Sequence, residues 1–186
     1  MFCKVLTAVG IIIVFVFLFG CDAKRRWDYE PISVDPYTSD RDKLDVEFRI
    51  KRSPRGEYFF AGFVNFNYVM DETTMMEATA MRSQSGNDDD YTPVPWSIPK
   101  QNYEEFFKNF YENLVYKNFG GCSNFRAPAD LFPWVNGNYS FSDCEVSGDG
   151  MPEIAPQGYY KINFNVTGEV EWGFESVCKI FDKLMP

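Results

Sequence analysis

Leu44-Asp45-Val46-Glu47-Phe48-Arg49-Ile50-Lys51 alternates apolar and charged positions without a break. That period predicts a half-buried strand with Leu44, Val46, Phe48 and Ile50 inward. Ser53-Pro54-Arg55-Gly56 supplies a turn. Tyr58 to Val69 predicts a second strand, apolar on both faces early and alternating later, and the pair reads as an antiparallel hairpin with the second strand central. A different spacing governs the middle of the chain. Tyr103, Phe106, Phe107, Phe110, Tyr111, Leu114 and Val115 recur three and four apart, which makes one apolar stripe on a helix. Asn102 stands where a cap belongs, Glu105 completes a capping-box-like pair, and Gly120-Gly121 ends the run. With a sheet to cover, this stripe is expected to face a core.

Later segments are shorter. Tyr139 to Val146 predicts a strand, and Tyr160, Ile162, Phe164 and Val166 alternate with Lys161, Asn163 and Asn165 in another. Phe174, Val177, Cys178, Phe181 and Leu184 fit a short amphipathic C-terminal helix. Residues 71–101 show no clear period and have room for hidden strands. The order implies an α+β domain, a mainly antiparallel sheet with two helices packed on one face. The alternative is a β-sandwich with short helical insertions.

The N-terminus carries a separate signal. Val5 to Gly20 is apolar except for Thr7, short for a transmembrane helix and of the right length for a signal-peptide core. It ends in Leu18-Phe19-Gly20-Cys21, which resembles the lipobox of bacterial lipoproteins, although Phe19 is bulkier than that pattern usually holds. The resemblance implies cleavage before Cys21 and acylation of Cys21 as a membrane anchor. Lys24, Arg25 and Arg26 would then form a basic collar at the lipid surface. Asp22 at the second mature position resembles an inner-membrane retention signal, which implies a domain facing the periplasm. An uncleaved signal anchor and an ordinary secretory signal are the alternatives. On this reading residues 1–20 are the signal peptide, 21–42 a charged, proline-containing tether, and 43–186 a single globular domain.

Chemistry is bounded mainly by what the chain lacks. It contains no histidine, which excludes Ser-His-Asp and Cys-His catalysis and histidine-based metal sites in their usual forms. Removing residues 1–20, which hold one charge (Lys4), takes the net charge from −9 to −10. An acidic chain argues against nucleic acid as a partner and suits a protein partner with a basic patch. No cofactor and no metal site are expected. Asp88-Asp89-Asp90 is too crowded for a calcium loop and reads as a solvated turn. Beyond the anchor, Cys122, Cys144 and Cys178 remain. An exported compartment permits one disulfide; Cys122–Cys144 is favoured, with the other pairings and no bond left open. Asn138-Tyr139-Ser140 and Asn165-Val166-Thr167 match glycosylation sequons. They are coincidental in a bacterial lipoprotein and matter only in a eukaryotic secreted protein.

These exclusions point to a membrane-anchored, non-catalytic binding lipoprotein. By size, anchoring and acidity it resembles immunity proteins that occlude a toxin's active site. The alternative is a structural or assembly lipoprotein of the cell envelope. Trp134, Trp96 and Asp88, Asp89 and Asp90, all in loops, are the expected partner contacts.

Overall fold

The structure, a computed structural model, describes residues 25–183. The leader, Cys21 and Leu184 lie outside them. Among the described residues the chain folds mainly as antiparallel sheet with one main helix. The strands are β1 (Trp27–Thr38), β2 (Leu44–Arg52), β3 (Tyr58–Phe66), β4 (Met75–Ser83), β5 (Thr92–Pro93), β6 (Ile98–Asn102), β7 (Gly137–Cys144), β8 (Gly158–Thr167) and β9 (Trp172–Asp182). One sheet has the order β1-β9-β8-β4-β5, with β6 also pairing β4; the other is β2-β3-β7.

The hairpin read from alternation forms as expected. β2 pairs β3 antiparallel from Leu44↔Phe66 to Arg52↔Tyr58, and β3 is the middle strand of its sheet. Gly56, at φ +90, closes the turn, where its amide donates to Ser53 O at 3.0 Å. Leu44 and Val46 are buried and Phe48 packs against the core.

Residues 103–119 form the main helix, α1. It has an α-helical first turn (Tyr103–Phe106), a π-helical stretch (Phe107–Tyr116) and an α-helical end (Lys117–Phe119). Asn102 caps it as expected, its side-chain oxygen accepting from Glu105 N at 2.9 Å. Phe106, Phe107 and Tyr111 are buried. Phe106 meets Phe164 of β8 at 5.5 Å between ring centroids, so α1 lies against the larger sheet. The three-stranded sheet supplies the rest of that layer: Phe66 reaches Trp172 of β9 at 5.6 Å, and Phe48 reaches Phe174 at 5.6 Å. Leu44, Val64, Phe66, Met76, Phe106, Tyr139, Val166 and Trp172 thus belong to one core shared by both sheets and the helix. Burying a side chain of this size contributes roughly 1.5–3 kcal/mol.

Two expectations are corrected, and the room left for strands in residues 71–101 is taken up. The C-terminal segment is not a helix: Trp172–Asp182 is β9, paired with β8 from Gly158↔Ile180 to Val166↔Trp172 and with β1 on its other side. Two helices packed on one face are therefore replaced by one. The tether ends early as well. Trp27–Thr38 is β1, whose Trp27 is 3% exposed and packs with Tyr160 and Ile180, so folding begins well before residue 43. Residues 71–101 contain β4, with Met76 and Ala80 buried on its inner face. A bulge between Pro31 and Ser33 and the acidic Asp28, Glu30 and Asp35 make the β1 edge a poor template for further strands.

Candidate functional site

Residues 131–136 lead into β7, and the Phe66↔Gly137 pairing places them at the end of the smaller sheet where β3 finishes. The loop is held from within. Trp134 turns inward, its ring at 4.8 Å from Tyr139, 4.9 Å from Phe107 and 5.3 Å from Phe66. Arg126 Nη1 donates to Leu131 O at 3.5 Å and to Pro133 O at 2.7 Å. Tyr139 Oη donates to Val135 O at 2.5 Å, and Tyr111 Oη donates to Arg126 O at 2.7 Å. Burial pushes the Tyr111 phenol up to about 12, so it stays protonated as a donor at physiological pH. The peptide Phe132-Pro133 is cis, and Leu131 is 3% exposed.

This framework leaves two large apolar side chains outside. Phe132 is 39% exposed and Val135 49%. Phe132 rests against Tyr103 at 6.4 Å and Phe107 at 6.2 Å, with the Lys108 ammonium 6.0 Å from its ring centre. In the turn after β3, at the same end of the sheet, Val69 is 67% exposed. The exposed charges around it are mainly acidic, Asp71, Glu72 and Asp130, with the Lys108 ammonium among them. Thr73 donates to Asp71 through its hydroxyl and amide, at 2.6 and 2.9 Å, holding that carboxyl below its ordinary pKa and therefore ionised. The result is an apolar tip with a mainly acidic rim.

The partner contacts expected from sequence divide on this geometry. Trp134 is a core ring, not a contact; its loop presents Phe132 and Val135 instead. Trp96 is also committed to packing, stacked on Tyr160 at 5.2 Å. Asp88–Asp90 form a short turn on the surface. Asp88 pairs with Lys161 at 3.1 Å, while Asp90 accepts from Ser83 and from Ser85 at 2.6 Å, bonds that lower its pKa and close the turn. Asp89 keeps no side-chain partner among the described residues. None of these residues meets Trp134 or the tip. Phe132 and Val135 are what the sequence reading missed, and their only sequence signal is the aromatic character of the loop.

Cys122 and Cys144 form a disulfide, the pairing favoured from sequence. It ties the segment after α1 to β7, beside Asn124, which blunts the β7 edge. Asn124 N donates to Ser140 O at 3.1 Å, its Oδ1 accepts from Ser140 N at 2.7 Å, and its Nδ2 donates to Asn138 O at 2.8 Å. Cys178 is free and half-buried, and burial pushes its thiol up to about 12. Among the described residues there is no group of three or more metal-ligating side chains, and no helix is long and apolar enough to cross a membrane.

Residues 76–162 match a family described as a protein of unknown function (DUF1091). The match covers a little under half of the 186 residues and runs from β4 into β8, so it includes α1, the tip loop and the disulfide. No curated protein matches the chain.

Proposed function

We propose that this chain is an exported, non-catalytic binding domain that docks a protein partner carrying a basic patch. The supporting observation is the tip, where Phe132 and Val135 stay exposed on a loop already locked by Trp134, Arg126 and Tyr139. Such a loop loses little conformational freedom on binding, so more of its contact energy becomes affinity. The acidic rim and the net charge of −10 left once residues 1–20 (one Lys) are removed favour a basic partner and steer its approach. The absence of histidine from the sequence supports binding over catalysis. The test is capture of partners by the full chain against the Phe132→Ser/Val135→Ser double variant. Loss of a stoichiometric partner with unchanged melting supports the tip; equal capture by both chains refutes it.

A second reading keeps the acyl anchor, favoured by the lipobox-like Leu18-Phe19-Gly20-Cys21. Arg25 already belongs to the fold, its guanidinium 4.7 Å from the Trp27 ring centre and 3.4 Å from Asp28. Only residues 22–24 would separate an acylated Cys21 from the domain, and of Arg25 and Arg26 only Arg26 is exposed to serve as a collar. An anchored domain of this kind would act at the membrane, as an immunity protein or as an envelope structural lipoprotein. Ordinary removal of the leader would release the same domain. Cys21→Ser separates the two: it abolishes membrane attachment on the anchored reading and changes nothing on the released one.

A further inference from the structure

We propose that Asn138 is an N-glycosylation site whose glycan lies over the outer face of the β2-β3-β7 sheet. The proposal rests on the export reading with ordinary leader removal, and acylation of Cys21 would exclude it. Asn138-Tyr139-Ser140 has the acceptor spacing, and the strand period sets Asn138 and Ser140 on one face with Tyr139 buried on the other. Asn138 and Ser140 are both exposed. Asn124 takes up the backbone groups of this stretch, donating to Asn138 O and accepting from Ser140 N, and the Asn138 amide makes no side-chain hydrogen bond among the described residues. The acceptor nitrogen is therefore accessible and uncommitted.

The second sequon is different. Asn165 is half-buried within the larger sheet, and its Oδ1 accepts from Tyr37 Oη at 2.8 Å. Tyr37 reaches it across Gly173, where an added Cβ would lie 2.8 Å from the phenol oxygen. Asn165 is thus engaged in covering the sheet.

The surface beside Asn138 has an apolar floor. Ser140 pairs with Phe63 and Asn138 with Asn65 across the β3–β7 ladder. Ala61 and Phe63 line an open groove of about 310 Å³ with Arg49, Lys51, Asn138 and Ser140. A pyranose ring offers apolar C–H faces to the Phe63 ring and hydroxyls to the charged rim, where Arg49 is paired with Glu47 and Lys51 with Asp143 at 3.1 Å, so the first sugars suit this floor. The oxidising compartment that permits Cys122–Cys144 is also where secretory glycan transfer occurs. In that step Asn138 Nδ2 forms a bond to C1 of an N-acetylglucosamine, and the bond from C1 to the pyrophosphate of a lipid-linked oligosaccharide donor breaks. The amide proton leaves with the lipid pyrophosphate.

The full-length chain, secreted from a eukaryotic cell line, tests this by mass before and after treatment with peptide N-glycosidase. The expected result is one glycan on the peptide containing Asn138, with Asn138 converted to Asp by the enzyme. Asn138→Gln and Ser140→Ala should each remove it, and Asn165→Gln should leave it in place. Enzymatic deglycosylation of the folded protein should raise binding of a hydrophobic fluorescent dye several-fold, and Phe63→Ser should abolish that rise. Secreted protein without a glycan at Asn138 overturns the proposal and leaves the export reading standing. Retained protein with an acyl mass at Cys21 overturns the proposal together with the ordinary leader removal it rests on.

Discussion

Reducing the Cys122–Cys144 bond should cost stability through the unfolded chain more than through the folded one. The two cysteines are 22 residues apart in sequence. Closing a loop of that span restricts the denatured ensemble by about 3.4 kcal/mol at 25 °C. The folded state keeps most of its local order without the bond, because Asn124 holds β7 through three hydrogen bonds of its own. Cys144 is fully buried, at 0% exposure, so removing its sulfur adds a small cavity. Cys122→Ala/Cys144→Ala should therefore lose somewhat more than reduced wild type. In a domain of this size 1 kcal/mol moves the melting temperature by about 2–4 °C, so reduction should lower it by about 10 °C. The assay is urea unfolding of oxidised wild type, reduced wild type and the double variant, followed by tryptophan fluorescence. A loss below about 1 kcal/mol on reduction, with the native spectrum kept, would refute the loop-entropy reasoning.

Trp134→Ala should destabilise by about 3–5 kcal/mol, because it empties the space between Phe66, Phe107 and Tyr139, and chemical denaturation measures it. Stability unchanged by that variant would restore Trp134 as a surface contact. Phe132→Ser should stay within about 0.5 kcal/mol of the parent in the same assay. At alkaline pH the fold should weaken in steps. Burial pushes Cys178 from 9.0 and Tyr29 from 10.0 each up to about 12, so the unfolded chain ionises first. The stability these groups contribute is complete below pH 9 and falls as pH rises towards 12. Urea midpoints between pH 8 and 11 should show the decline, and Cys178→Ala should move its onset from near 9 towards 10. At acidic pH, Asp71, Asp90 and Asp143, all lowered by hydrogen bonds, contribute stability above the unfolded carboxylate pKa that is lost as pH falls through their folded values. A midpoint flat from pH 6 to 2 would contradict that.

The amino-acid sequence by itself determined the elements whose local pattern has one reading. β2 alternates strictly, β3 follows a Ser-Pro-Arg-Gly turn, and α1 has both its cap and its stripe, so each is legible before any long-range contact is considered. The cysteine choice was partly legible, since Cys122 follows a flexible Gly-Gly and Cys144 lies on a strand, although the same reading set Cys178 on a helix that is β9. Tertiary structure decided the rest. β4, Met75–Ser83, is built of Met, Ala and Glu, which show little strand preference; pairing with β8 from Met75↔Thr167 to Ser83↔Tyr159 makes it a strand. In β9 the inward row is Trp172, Phe174, Ser176, Cys178 and Ile180. Ser176 interrupts its apolar alternation, while outward Val177 and Phe181 supply a false helical spacing. Backbone hydrogen bonding to β8 and β1 on both sides outweighs that local resemblance. β1 looked like a tether because its prolines and carboxylates obscure the row from Trp27 to Pro31. The tip depended most on packing. Phe132 and Trp134 stand two residues apart in one aromatic loop, and which ring is buried is set by Phe66, Phe107 and Tyr139, side chains that sequence distance cannot bring together.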